Sequence, residues 1–128
     1  MSYQADVENK GRYLHVRVIG ENTPENVLAY LKDIYDACAN AGVPSVLIEE
    51  NLQGPALDPV DVYRIILESS ARTAPVIRMI AYVDLNPEHP QTNIKLGETV
   101  ARDQGVNVRT FSTVPETMEW IESEPGSS

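Results

Sequence analysis

Along this chain, segments whose apolar residues recur at every second position give way in turn to segments whose apolar residues recur at every third or fourth. Strand side chains alternate between faces, whereas helical ones return to one face after about 3.6 residues, so this alternation predicts successive βα units on a shared sheet. Tyr3–Glu8 sets Tyr3, Ala5 and Val7 against Gln4, Asp6 and Glu8, and Lys10-Gly11 turns the chain into a second strand, Tyr13–Ile19, ended by Gly20. The pair reads as an N-terminal hairpin. Thr23, Pro24 and Glu25 then supply a cap, a first-turn proline and a negative charge at the positive end of a helix dipole. Val27, Leu28, Leu31, Ile34, Tyr35 and Cys38 fall on one stripe of that helix, with Lys32, Asp33, Asp36 and Asn40 opposite and Gly42 at its end.

The pattern repeats. Val46–Glu49 is a short third strand followed by a loop, Asn51–Pro55, and Asp58-Pro59-Val60-Asp61 opens a second helix running to about Ala71. Val76–Val83 is a fourth strand and Asp84–Pro90 a polar loop. Thr92 caps a third helix that turns Ile94, Gly97, Val100 and Ala101 inward and stops at Gly105. Asn107–Phe111 is a fifth strand, and Thr113-Val114-Pro115-Glu116 is a capping box for a last helix bearing Met118, Trp120 and Ile121. The expected architecture is α/β: one domain over residues 1–123 in the order ββαβαβαβα, with a disordered tail at 124–128. Right-handed crossovers make strands two to five parallel neighbours in a five-stranded sheet and leave the first strand antiparallel at an edge.

With 128 residues the chain suits a single core. Ten Lys and Arg against nineteen Asp and Glu give a net charge of −9, which repels phosphate backbones and anionic headgroups, so neither nucleic acid nor membrane is expected as a partner. The lone Cys38 excludes an intrachain disulfide and lies on an apolar stripe, and the first residues lack the cationic and apolar runs of a signal peptide; a cytoplasmic setting is expected.

The element order, Val46-Leu47-Ile48-Glu49 with its loop into the helix at Asp58, and Asn107-Val108-Arg109-Thr110-Phe111 before the helix at Thr113 resemble the SpoIIAA-like (STAS-like) fold of the bacterial anti-sigma-factor antagonists. The resemblance runs from Tyr3 to Ile121. It implies a bacterial interaction or ligand-binding domain without catalysis. Those antagonists carry an Asp-Ser-Ser-Gly-like run at the second helix, with one serine phosphorylated by a partner kinase. Here Asp58-Pro59-Val60-Asp61 stands in its place, with no hydroxyl before Tyr63, so the phosphorylation switch is not carried over.

Ligand sites in parallel α/β sheets gather at the carboxyl ends of the strands. Two acidic clusters fall there: Glu49, Glu50 and Asn51 after the third strand, and Asp84, Asn86, Glu88 and His89 after the fourth. Carboxylate and amide oxygens suit a hard cation or a polar ligand, and the competing reading is turn formation and solvation. Strand alternation turns His15, Arg17, Arg78, Tyr82 and Arg109 away from the helices, forming a cationic stripe for an anion or, alternatively, one offset by Asp6 and Glu8. The second helix is apolar around much of its circumference. Val60, Tyr63 and Leu67 share one side and are candidates for meeting another protein or a second copy of the chain, unless neighbouring helices cover them.

No serine elbow, zinc-ligand spacing, phosphate-binding glycine loop or lysine suited to a Schiff base occurs, so neither a catalytic residue nor a cofactor is assigned. The leading expectation is a binding domain for another protein or itself. The alternative is a carrier for a small or lipid-like molecule held between the helices and the loop 51–57, and a metal-assisted enzyme using Glu49 and Asp84 ranks third.

Overall fold

The computed structural model describes residues 3–123, and the expected tail at 124–128 lies outside them. Among the described residues the order is β1 (Tyr3–Asn9), β2 (Leu14–Glu21), α1 (Pro24–Ala41), β3 (Ser45–Gln53), α2 (Pro59–Thr73), β4 (Met79–Asp84), α3 (Gln91–Asp103), β5 (Val108–Phe111) and α4 (Val114–Ser123). The strands lie side by side in chain order, β1 antiparallel to β2 and the rest parallel. No described helix is long and apolar enough to cross a membrane.

Identical crossovers that always step the same way place every crossing helix on one face. Leu14, Val16, Val18, Val46 and Ile48 accordingly pack beneath Val27, Tyr30, Ile34 and Cys38 of α1 and Ile65 of α2. Ala101 of α3 closes the same face with Val106 and Val108. The last helix, α4, lies on the opposite face of the sheet, where Ile121 packs on Leu47, Met79 and Ala81. The phenol of Tyr13 anchors it by donating to Glu122 at 2.7 Å.

The caps act as the sequence indicates at three helices. Thr23 Oγ1 accepts the Asn26 N–H at 3.1 Å, Asp58 Oδ1 the Val60 N–H at 2.8 Å, and Thr113 Oγ1 the Glu116 N–H at 3.3 Å. Gly42 ends α1 at φ 68°, the left-handed conformation that a Cβ disfavours. The third helix begins earlier than expected, with Pro90 as its cap residue, so Thr92 lies inside the helix and does not cap it.

Strand limits differ for a tertiary reason. β3 runs through Glu50, Asn51, Leu52 and Gln53 because these residues pair with Val18–Glu21 of β2, so the loop expected at 51 starts later. β4 starts only at Met79, since Val76 and Ile77 donate back to the Thr73 carbonyl and Arg78 to the Pro44 carbonyl. The buried stripe of α1 is Val27, Tyr30, Ile34 and Cys38, leaving Leu31 half-buried. Chemical denaturation tests this orientation: Ile34→Ala should cost about 2–5 kcal/mol through lost burial and the cavity left, and Lys32→Ala less than about 0.5 kcal/mol.

Candidate functional site

Parallel pairing sets Glu50 of β3 opposite Asp84 of β4, at the carboxyl ends of the two central strands and on the face covered by α1–α3. Glu50 is only 5% exposed. Tyr30, reaching down from α1, and Tyr82, which stands two residues before Asp84, donate their phenols to the two Glu50 oxygens, Tyr82 at 2.6 Å. Burial and the neighbouring Asp84 push the Glu50 carboxyl up to about 7, against the pull of the two phenols and His89. Burial, with Glu50 close by, also holds both tyrosines well above their ordinary range, so they stay protonated donors.

The segment after β4 folds back through two side-chain turns. Asp84 Oδ1 accepts the Asn86 N–H at 2.9 Å, Asn86 Oδ1 accepts the Glu88 N–H at 2.9 Å, and Asn86 Nδ2 donates to the Leu52 carbonyl at 2.8 Å. His89 is thereby returned to Asp84. Its Nδ1 lies 2.7 Å from Asp84 Oδ2 and its Nε2 3.0 Å from the Gly54 carbonyl. Those two partners are acceptors, so in the imidazolium form both ring nitrogens donate to them; the Asn22 amide nitrogen also lies 3.3 Å from Nε2. Burial opposes that charge, but the bonds to Asp84 and Gly54 outweigh it and raise His89 above 6.5. Asn22 donates to the Pro55 carbonyl at 2.9 Å and Asn93 to the Leu57 carbonyl at 2.7 Å, so His89, Asn22 and Asn93 together pin the 54–57 loop.

Beside this polar group, between the sheet and the helices, lies a cavity of about 160 Å³. Ile48, Ile80 and Val108 line it from the sheet, Ile65 from α2, Ile94 from α3, and Leu57 from the pinned loop. Glu50, Asp84 and His89 form part of its wall. Ser69 of α2 also lines it, is 7% exposed, and has an Oγ without a hydrogen-bond partner. Glu98, on α3, lines the cavity but is engaged, accepting from Thr110 at 2.6 Å and Lys95 at 3.2 Å.

Of the acidic residues expected together, the fold assembles half. Glu50, Asp84 and His89 converge, with candidate ligand atoms all within 4.8 Å, and Asn86 shapes the backbone behind them. To meet one cation, His89 would have to give up a bond to Asp84 or to Gly54. Glu49 and Asn51 do not join, because β3 continues through them and alternation turns them to the opposite face. There Glu49 accepts from His15 at 2.9 Å and lies 3.6 Å from Arg17, which also lies 3.5 Å from Glu8.

The cationic stripe is not assembled as one surface. His15 is buried against Glu49, Arg78 precedes β4, and Arg109 lies over the rings of Phe111 and Trp120 at 5.9 Å, on the side that α4 covers. Tyr82 faces the helices rather than away from them. On α2, Val60 and Tyr63 are 67% and 51% exposed, and Leu67 is half-buried. The sequence reading overlooked Tyr30 and Ser69. Tyr30 carries a signal in its spacing, three after Val27 and four before Ile34, whereas nothing in the sequence marks Ser69.

Solved structures similar to this chain include an anti-sigma factor antagonist from Mycobacterium paratuberculosis, with a TM-score of 0.65 at 16% identity over 95% of this chain and 96% of that one. They also include an uncharacterised protein of the DUF3478 family from Shewanella loihica PV-4 with a SpoIIAA-like fold, with a TM-score of 0.55 at 14% identity over 94% of each chain. No family model matches the chain, and no curated protein sequence does. The likeness covers the whole architecture, and the chain has the SpoIIAA-like fold.

The site makes stability depend on pH. Glu50 titrates near 7 when folded against an ordinary 4.5, so its contribution is fully present below about 4.5 and is lost as pH rises through 7. His89, also raised, has the same sign: its contribution is present below 6.5 and is lost above its folded value. Urea denaturation should show stability falling between pH 5 and pH 8 by roughly 2–3 kcal/mol on account of Glu50, and Glu50→Gln should remove that share of the slope.

Proposed function

We propose that this chain is a non-catalytic binding domain that takes a small, mostly apolar molecule into the cavity between its sheet and its helices. The observation that carries this reading is the cavity itself, about 160 Å³, with Ile48, Leu57, Ile65, Ile80, Ile94 and Val108 in its wall and polar side chains on several sides, Glu50, Asp84 and His89 grouped at one of them. A cavity of about 150 Å³ lined by aliphatic and aromatic side chains is enough to hold benzene, and concave apolar sites with few convergent polar groups are the usual form of a small-molecule site. A carboxyl of raised pKa at such a place is where the polar end of a ligand meets the protein. The pinned 54–57 loop supplies a preformed wall, so little ordering opposes binding.

Titration of the protein with benzene, followed by amide chemical shifts, tests the reading. Saturable shifts are expected at Ile65, Ile80 and Val108, and shifts confined to surface residues would refute it. Ser69→Leu, which fills the cavity and removes the unpartnered hydroxyl, should abolish those shifts. Ser69→Ala should leave them in place and raise stability by about 1 kcal/mol, because a buried hydroxyl without a partner is costly.

A second reading rests on a separate observation, the exposure of Val60 and Tyr63 one turn apart on α2. An exposed valine and tyrosine on one helix side suit a protein partner or a second copy of the chain, and one structural neighbour is named as an anti-sigma factor antagonist. If that surface forms a homodimer, light scattering should show the dimer mass for the wild type and the monomer mass for Tyr63→Glu, with unchanged thermal stability in the monomeric state. A wild type that is monomeric at every concentration would exclude the homodimer.

A further inference from the structure

We propose that the ligand of the cavity is a small primary amine, its ammonium set against Glu50 and its apolar body among Ile65, Ile80 and Val108. This rests on the ligand-binding reading and adds the chemical class. The Glu50 carboxylate is presented by two donors, the Tyr30 and Tyr82 phenols, one on each oxygen. A carboxylate oxygen has two acceptor directions, so each oxygen retains one for a further donor.

The charge around that carboxylate is unbalanced. Tyr30 faces it from α1, Tyr82 and Asp84 from β4, and His89 from the loop that follows, while Glu98 of α3 lines the same cavity with its charge met by Lys95. Ionised, Glu50 and Asp84 stand against one imidazolium. Among the described residues, no Lys or Arg lines the cavity to make up the difference. An ammonium supplies the missing positive charge and up to three donors, whereas a carboxylate ligand would add a third negative charge in a place shielded from water. An alcohol would donate to Glu50 but leave its charge uncompensated.

The volume, about 160 Å³, suits a single ring or a short chain with one amino group.

Below about pH 7 the Glu50 carboxyl is largely protonated, so binding of an ammonium there releases one proton to solvent; above that range none is released. Amine affinity should therefore rise with pH until the amine itself loses its proton.

Calorimetry on the full chain with benzylamine, benzyl alcohol and benzoate separates the possibilities, since the three share a ring and differ in charge. At pH 8 benzylamine should bind at least tenfold more tightly than benzyl alcohol, and benzoate should not bind. At pH 6 the preference for the amine should shrink about tenfold, with close to one proton released per amine bound when two buffers of different ionisation heat are compared. Glu50→Gln should erase the amine preference and its pH dependence while keeping benzyl alcohol binding. Benzyl alcohol or benzoate binding as tightly as the amine to the wild type at pH 8 would overturn the amine assignment and leave the cavity reading standing. Failure of all three ligands and of benzene would overturn both. The wild-type comparison at two pH values needs no variant to fold.

Discussion

The constraint on which the structure depends is the handedness of its crossovers combined with strands that never reverse their order. Each β-helix-β unit from β2 to β5 steps one place in the same direction, so α1, α2 and α3 are confined to one face. The other face is covered by α4. Apolar pattern follows from this division: Val46 and Ile48 face the three helices and Leu47 faces α4, so β3 is buried on both sides and its first residues read as a continuous apolar run.

The same arrangement explains why a carboxylate is buried at the centre. Glu50 lies on the helix-facing side of the central strand, and in an apolar core such a group costs several kcal/mol unless it is paired or neutral. The fold answers with two phenols, one from α1 and one from the adjacent strand, and with Asp84 bound to a returning His89. That answer is incomplete, which is why burial still raises Glu50 to about 7. The buried carboxyl forms part of the wall of the cavity on which the proposed binding role rests.

His89 joins the chemistry of the site to its shape. One ring nitrogen meets Asp84 and the other the Gly54 carbonyl, so the histidine that balances the acids also holds the loop walling the cavity. The opposite face of the sheet is arranged differently. His15, Arg17, Glu49 and Glu8 compensate one another there, in part at the solvent surface, where such pairs contribute about 0–1 kcal/mol each.

The sequence by itself determined the order and type of the nine elements among the described residues, the antiparallel first pair, three of the four helix caps and the nearness of Glu50 to Asp84 and His89 at the carboxyl ends of the central strands. Those features are local: alternation, 3.6-residue periodicity and caps act within a few residues, and crossover handedness follows from chirality. Only the tertiary structure decided that β3 continues through Glu50 to Gln53, because the partner that makes those polar residues a strand lies some thirty residues earlier in β2. That extension sent Glu49 and Glu50 to opposite faces, one to His15 and Arg17 and the other to Tyr30 and Tyr82. It likewise decided that Ser69 is left without a partner and that the helices stop short of filling the space above Ile80 and Val108. A cavity is a property of how whole elements fit against one another, and no run of neighbouring residues encodes it.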